Sequence, residues 1–146
     1  MKIFTIGFTQ KSAREFFNKI KNNHIDLLVD IRLNNISQLA GFAKGKDLEY
    51  FLKEICDCKY VHDDVFAPTK TLLDNYRANK TSWREYEDVF AQIMTTRQIE
   101  ERFKNLYINY KNVCLLCTEP TAEQCHRRLV AEYLQKHCDN IEIIHI

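Results

Sequence analysis

Two short stretches hold most of the residues able to do chemistry: Cys117-Thr-Glu119 and, after seven positions from Cys117, Cys125-His-Arg127. A deprotonated thiol is a strong nucleophile, an imidazole moves its proton, and a carboxylate orients the imidazole. A guanidinium grips a planar anion through two parallel N–H donors. Two further segments end in groups of the same kind, Asp30-Ile-Arg32 and Tyr60-Val-His62, and Thr9 follows Gly7-Phe8. Cys117, Glu119, Cys125, His126 and His62 are therefore the candidate catalytic groups. Arg32, Arg127, Thr9 and Asp30 are the candidate anion-binding groups.

Each has a structural alternative. Cys125 precedes Leu129 by four and His126 precedes Val130 by four, so both extend the inward stripe of a helix. Cys125 is then either a small core residue or a thiol whose ionised form the first helical turn favours. His126 is either a base or a hydrogen-bonded core imidazole. Asp30 closes the apolar run Leu27-Leu-Val29, and a buried carboxylate needs a cation. Arg32, two residues on, shares its face and either clamps that carboxylate or holds an anionic ligand.

Metal binding is less well matched. Cys114-Leu-Leu-Cys117 has CxxC spacing, but on a strand the two thiols point to opposite faces. Cys56-Asp-Cys58 marks a helix end. A mixed set of Cys117, Cys125, His126 and His62 remains geometrically open, and no resident metal or cofactor is assigned. The phosphatase and sulfurtransferase loop, with cysteine six positions before arginine, is absent: Arg127 lies ten after Cys117 and two after Cys125.

These groups need a scaffold that delivers them to one place. Apolar segments at Ile3–Gly7, Ile25–Ile31, Lys59–His62, Val113–Cys117 and Ile141–Ile146 read as strands. Between them lie helices. Capping boxes at Ser12, Ser82 and Thr121 start three of these, each with Glu or Gln three residues on. The first runs to about Asn23, the second toward Leu106 with a break near Thr95-Thr96, and the third to His137. Leu48–Ile55 and Thr69–Tyr76 are shorter helices. The alternation predicts a single α/β domain over residues 1–146: three layers, a mostly parallel five-stranded sheet, helices on both faces. Ligands of such sheets sit outside the carboxyl ends of the strands, where the candidate residues fall. The free amides at a helix start near Thr121 and Gln124 would add donors for an anion.

Composition sets the outer limits. With 3 glycines, at 7, 41 and 45, the chain has no GxGxxG and no GxxxxGK phosphate loop. Lys plus Arg number 21 against 20 acids, a net +1, so stable nucleic-acid binding is not indicated. Lys11, Arg14, Lys19 and Lys21 read as the wet face of the first helix. No leader and no apolar run of about 18 residues is seen. A cytoplasmic protein without membrane contact is the expectation, with its 6 cysteines reduced. Cys117 and Cys125 are the pair expected to lie close enough to oxidise.

Thr5-Ile-Gly-Phe-Thr9, Val29-Asp-Ile-Arg32, Gly41-Phe-Ala43, Tyr60-Val-His62 and Cys117-Thr-Glu119 followed by Cys125-His-Arg127 together resemble the bacterial and archaeal family numbered 488 among domains of unknown function. The resemblance spans nearly the whole chain. It implies a compact cytosolic α/β domain whose motifs meet at one sheet edge. Family members often carry proline after the Asp-x-Arg segment and Leu-Gly after Tyr-x-His. Here Asn34-Asn-Ile36 and Asp63-Asp-Val-Phe66 stand there instead, so the loops beside the site are expected to differ. The leading functional expectation is a small enzyme acting on a nucleotide-like or other anionic small molecule. A non-catalytic nucleotide or anion sensor and a nucleic-acid-processing protein are the alternatives.

Overall fold

Five short apolar segments pair into one sheet: β1 (Lys2–Gly7), β2 (Leu27–Asp30), β3 (Lys59–His62), β4 (Asn112–Cys117) and β5 (Glu142–His145). The structure, a computed structural model, describes residues 1–36 and 39–146. Every pairing in it is parallel, in the order β3-β2-β4-β1-β5. Among the described residues six α-helices connect the strands: α1 (Ala13–Asn22), α2 (Gly45–Cys56), α3 (Lys70–Arg77), α4 (Trp83–Thr96), α5 (Ile99–Tyr107) and α6 (His126–His137).

Strand alternation sends successive side chains into two cores. Phe4, Ile6, Leu28, Cys114 and Leu116 meet Phe16, Ile20, Leu48 and Leu52 of α1 and α2. Ile3, Val29, Val113 and Leu115 meet Phe90, Phe103, Val130 and Leu134 from the later helices. The result is an α/β domain with helices on both faces. Its accessible surface of 8106 Å² matches the roughly 7,900 Å² expected of a folded chain this size. No helix among the described residues is long and apolar enough to cross a membrane.

The order of the strands creates the site. β4 lies between β2 and β1. The chain leaves both neighbours toward the α1–α2 face but leaves β4 toward α6 on the other. In open α/β sheets ligands bind beside such a reversal, outside the carboxyl ends of the strands.

Two helix starts differ from the sequence expectation by more than one residue: α2 begins at Gly45 rather than Leu48, and α6 at His126 rather than beside Thr121. The long helix breaks where expected, directly after Thr95-Thr96, with Gln98 in the left-handed region (φ 50°). The last helix starts at His126 with Cys125 as its cap residue, so the Thr121 box does not form. Side chains from elsewhere have taken the carbonyls of this loop instead. Thr9 bonds Thr118, Arg127 bonds Glu119, Lys11 bonds Pro120 and Arg128 bonds Glu123. Gln124 accepts from the Tyr76 hydroxyl at 3.1 Å rather than capping a turn.

Candidate functional site

At the end of β4, Cys117 faces α6, opposite in direction to Cys114, which is buried in the α1–α2 core. The CxxC pair is thus split between the two faces, as strand geometry requires. Cys117 Sγ lies 3.4 Å from His126 Nδ1 and 3.8 Å from Nε2. His126 Nε2 is 2.9 Å from the carbonyl of Ile31. A carbonyl only accepts, so Nε2 carries a proton and donates. In the neutral ring the lone pair is then on Nδ1, and Sγ, almost as close to Nε2 as to Nδ1, lies against the side of the ring between the two nitrogens. The edge of the imidazole meets Phe90, with ring centroids 6.0 Å apart.

Cys125 completes this cluster: its sulfur, that of Cys117 and the His126 nitrogen all lie within 4.8 Å of one another. Arg127 Nη1 donates to Cys125 Sγ at 3.5 Å and to the Glu119 carbonyl at 2.5 Å. Burial alone would raise the Cys117 thiol. The Cys125 thiol, the amides of Thr118 and Glu119 and the Arg127 charge outweigh it and hold Cys117 below its ordinary value. Cys125, hydrogen-bonded to Cys117 and itself buried, is pushed far up. Of the two, Cys117 is the sulfur better able to carry charge. All six cysteines are free thiols.

Gly7 makes this corner possible. It pairs with Cys117 across β1–β4, and a Cβ there would lie 1.6 Å from the Glu119 carbonyl oxygen. Only a bare backbone lets the 118–119 loop come so close.

Arg32 and Asp30 form a fully buried ion pair beside the cluster. Arg32 Nε donates to Asp30 Oδ1 at 2.8 Å, and Nη2 donates to Oδ2 at 2.6 Å and to the Ala43 carbonyl at 2.8 Å. The Arg32 amide (3.2 Å) and the Tyr60 hydroxyl (2.7 Å) also donate to this carboxylate. Phe8 lies under the guanidinium, 5.0 Å from its ring centroid. The two-pronged face of Arg32 is therefore spent on Asp30, and Nη1 is left over, buried and with no partner among the described residues. Asp30 is the carboxylate that this arginine clamps, with all its described contacts inside the protein. Arg127 Nε is likewise buried with no partner among the described residues.

Three other expected site residues sit differently from their assigned roles. His62 ends β3, and β2 separates that strand from β4, placing it about two strand spacings, roughly 10 Å, away. Its Nε2 donates to the Arg32 carbonyl at 2.8 Å, and it is not among the ligand atoms that converge with Cys117. Glu119 has an exposed carboxylate and contributes its backbone. The group that orients His126 is the Ile31 carbonyl, which no side-chain pattern reveals. Thr9 donates its hydroxyl to the Thr118 carbonyl at 2.7 Å, which fastens two loops and leaves no hydroxyl proton for an anion.

Sequence reasoning missed the Ala43 carbonyl and Tyr86. Tyr86 is buried near both thiols, and burial first, then Cys117 and Cys125, push its pKa up. Its ring stacks on Trp83 at 4.9 Å and meets Tyr76 at 5.2 Å. The four-residue step from Tyr86 to Phe90 was the available signal for that helix face. Two open grooves lie elsewhere, one bordered by Leu33, Asp64, Pro68 and Arg97, the other by Asp26, Lys53, Lys59 and Tyr110. Neither is lined by Cys117, Cys125, His126, Arg32 or Arg127.

Residues 12–134 match the family model described as "Domain of unknown function DUF488". No curated protein and no solved structure matches the chain.

Proposed function

The chain belongs to the DUF488 family, and from that premise we propose that it is a small enzyme acting on an anionic, nucleotide-like molecule through the Cys117 thiol. One observation carries the reading: Cys117 Sγ lies 3.4 Å from His126 Nδ1 while the Ile31 carbonyl holds the other ring nitrogen at 2.9 Å. Nucleophile, base and orienting group in sequence is the arrangement that activates a weak nucleophile. Cys117 attacks the electrophilic atom of the substrate as His126 takes the thiol proton. The imidazolium returns that proton to the leaving group as its bond to the attacked atom breaks. Water, giving a proton back to His126 and then to the thiol, releases the group held on Cys117.

Two buried guanidiniums supply the preference for an anion. Arg127 Nε and Arg32 Nη1 have no partner among the described residues. A buried unsatisfied donor costs about 1–3 kcal/mol, and more when charged. An acceptor that reaches these atoms recovers this. Arg127 is the principal anion contact, because Arg32 is already committed to Asp30. The partly exposed Trp83, next to Tyr86 and Tyr76, supports a substrate that carries a planar ring.

The burial of Cys117, Cys125 and His126 favours one second reading, an anion sensor that uses the same arginines without chemistry. Alkylation of the reduced protein by iodoacetamide, mapped by peptide mass spectrometry, separates the two. The enzyme reading expects Cys117 to react fastest of the six thiols and to be protected by nucleoside phosphates or simple phosphate esters. Six uniformly slow thiols with ligand binding intact would establish the sensor. Slow thiols and no binding would refute both.

A further inference from the structure

We propose that Cys117, Cys125 and His126 bind one thiophilic divalent cation of the zinc class. The inference rests on the geometry of the three side chains, not on the nucleophile reading, and adds an occupant that masks the same thiol.

Three ligand atoms lying within 4.8 Å of one another share a point no more than about 2.8 Å (4.8/√3) from each. Zinc takes thiolate at about 2.3 Å and imidazole at about 2.0–2.1 Å, so the set needs to contract by only about half an ångström. In a tetrahedral site those lengths put sulfur and nitrogen about 3.6 Å apart. Cys117 Sγ and His126 Nδ1 are 3.4 Å apart.

The surroundings are those a metal-bound imidazole and thiolate need. A ligating histidine donates its other N–H to a carbonyl or carboxylate, which fixes its tautomer. His126 Nε2 does so to Ile31, which leaves Nδ1 as the ring's free acceptor, 3.4 Å from Cys117 Sγ. Arg127 Nη1 donates to Cys125 Sγ, as an outer hydrogen bond to a ligating sulfur would.

The donor set selects the metal. Two sulfurs and one imidazole favour zinc or cobalt over magnesium or calcium, which require oxygen ligands. Two thiolates and a neutral imidazole balance the 2+ charge, and binding releases two thiol protons. The fourth position stays open to water or another ligand, since His62 is held away on β3 by its bond to Arg32. With the ion in place Cys117 is no longer free to attack, so the loaded protein is the masked form.

The experiment titrates reduced, metal-free protein with Co²⁺ and follows it with Zn²⁺. We expect one equivalent of Co²⁺ to produce sulfur-to-cobalt charge-transfer absorption with tetrahedral ligand-field bands, which Zn²⁺ abolishes. Cys117→Ala, Cys125→Ala and His126→Gln should each weaken binding about a hundredfold or more, exceeding the loss seen for outer-shell partners. Cys58→Ala and Cys114→Ala should bind as the wild type does. Circular dichroism melts establish that each variant is folded. Wild-type protein needs no variant for the second readout: zinc should slow alkylation of Cys117 and Cys125 and of no other cysteine. Absence of the cobalt spectrum, its persistence in folded Cys117→Ala, or protection of a different pair would overturn the site. Thiol reactivity in metal-free protein is measured separately, so the enzyme reading and the metal site fail independently.

Discussion

Replacing Arg32 by alanine tests whether that residue is a structural clamp. Asp30 accepts four hydrogen bonds: two from the Arg32 guanidinium, one from the Arg32 amide and one from the Tyr60 hydroxyl. The substitution removes the two charged donors and leaves a carboxylate with no exposure and no cation. Breaking a buried pair from one side costs about 3–5 kcal/mol. Unfolding entropy of about 2.1 cal/mol/K per residue converts this to a fall in Tm of roughly 10–16 °C for 146 residues. Urea unfolding gives the free energy directly, and an unchanged slope shows that only stability moved. The double variant Asp30→Leu with Arg32→Met removes both charges and should lose less than the two single changes added together. An Arg32→Ala protein within 1 kcal/mol of wild type that binds phosphate esters ten- to a hundredfold more weakly would refute the clamp and make Arg32 a ligand residue.

Three further outcomes are expected. Gly7→Ala should destabilise the fold by about 3 kcal/mol or more in urea, because its Cβ would lie 1.6 Å from the Glu119 carbonyl oxygen; a change under 1 kcal/mol means the 118–119 loop yields freely. Arg127→Gln should weaken phosphate-ester binding ten- to a hundredfold in calorimetry, and unchanged affinity would take the anion elsewhere. Ser82→Ala should cost about 1 kcal/mol in a thermal melt, since both hydrogen bonds of its capping box are formed; no loss would show that packing alone holds the start of α4.

Local pattern was sufficient wherever one short segment decides its own state. β3 occupies Lys59–His62, the span the sequence predicts, and α3 starts after Thr69 with that side chain as its cap. The Ser82 box forms with both of its bonds. Thr121 has the same pattern and does not form one: α6 starts only at His126, and the loop before it is held by Thr9, Lys11, Arg127 and Arg128 through its carbonyls. A cap is worth only about 1 kcal/mol, so tertiary bonds that fix the path of a loop can override its pattern.

What the sequence by itself determined is the inventory: parallel strands alternating with helices, and thiols, imidazoles and guanidiniums at the ends of those strands. Cys117 and Cys125 were expected to be neighbours because one strand-to-helix loop joins them. Strand order was not legible, since parallel strands joined by long crossovers can take several orders with the same hydrophobic pattern. That order places β2 between β3 and β4, which removes His62 from the cluster and brings the Ile31 carbonyl to His126. Backbone carbonyls carry no residue signature. The partners of His126 at Ile31 and of Arg32 at Ala43 were therefore decided only when the chain folded.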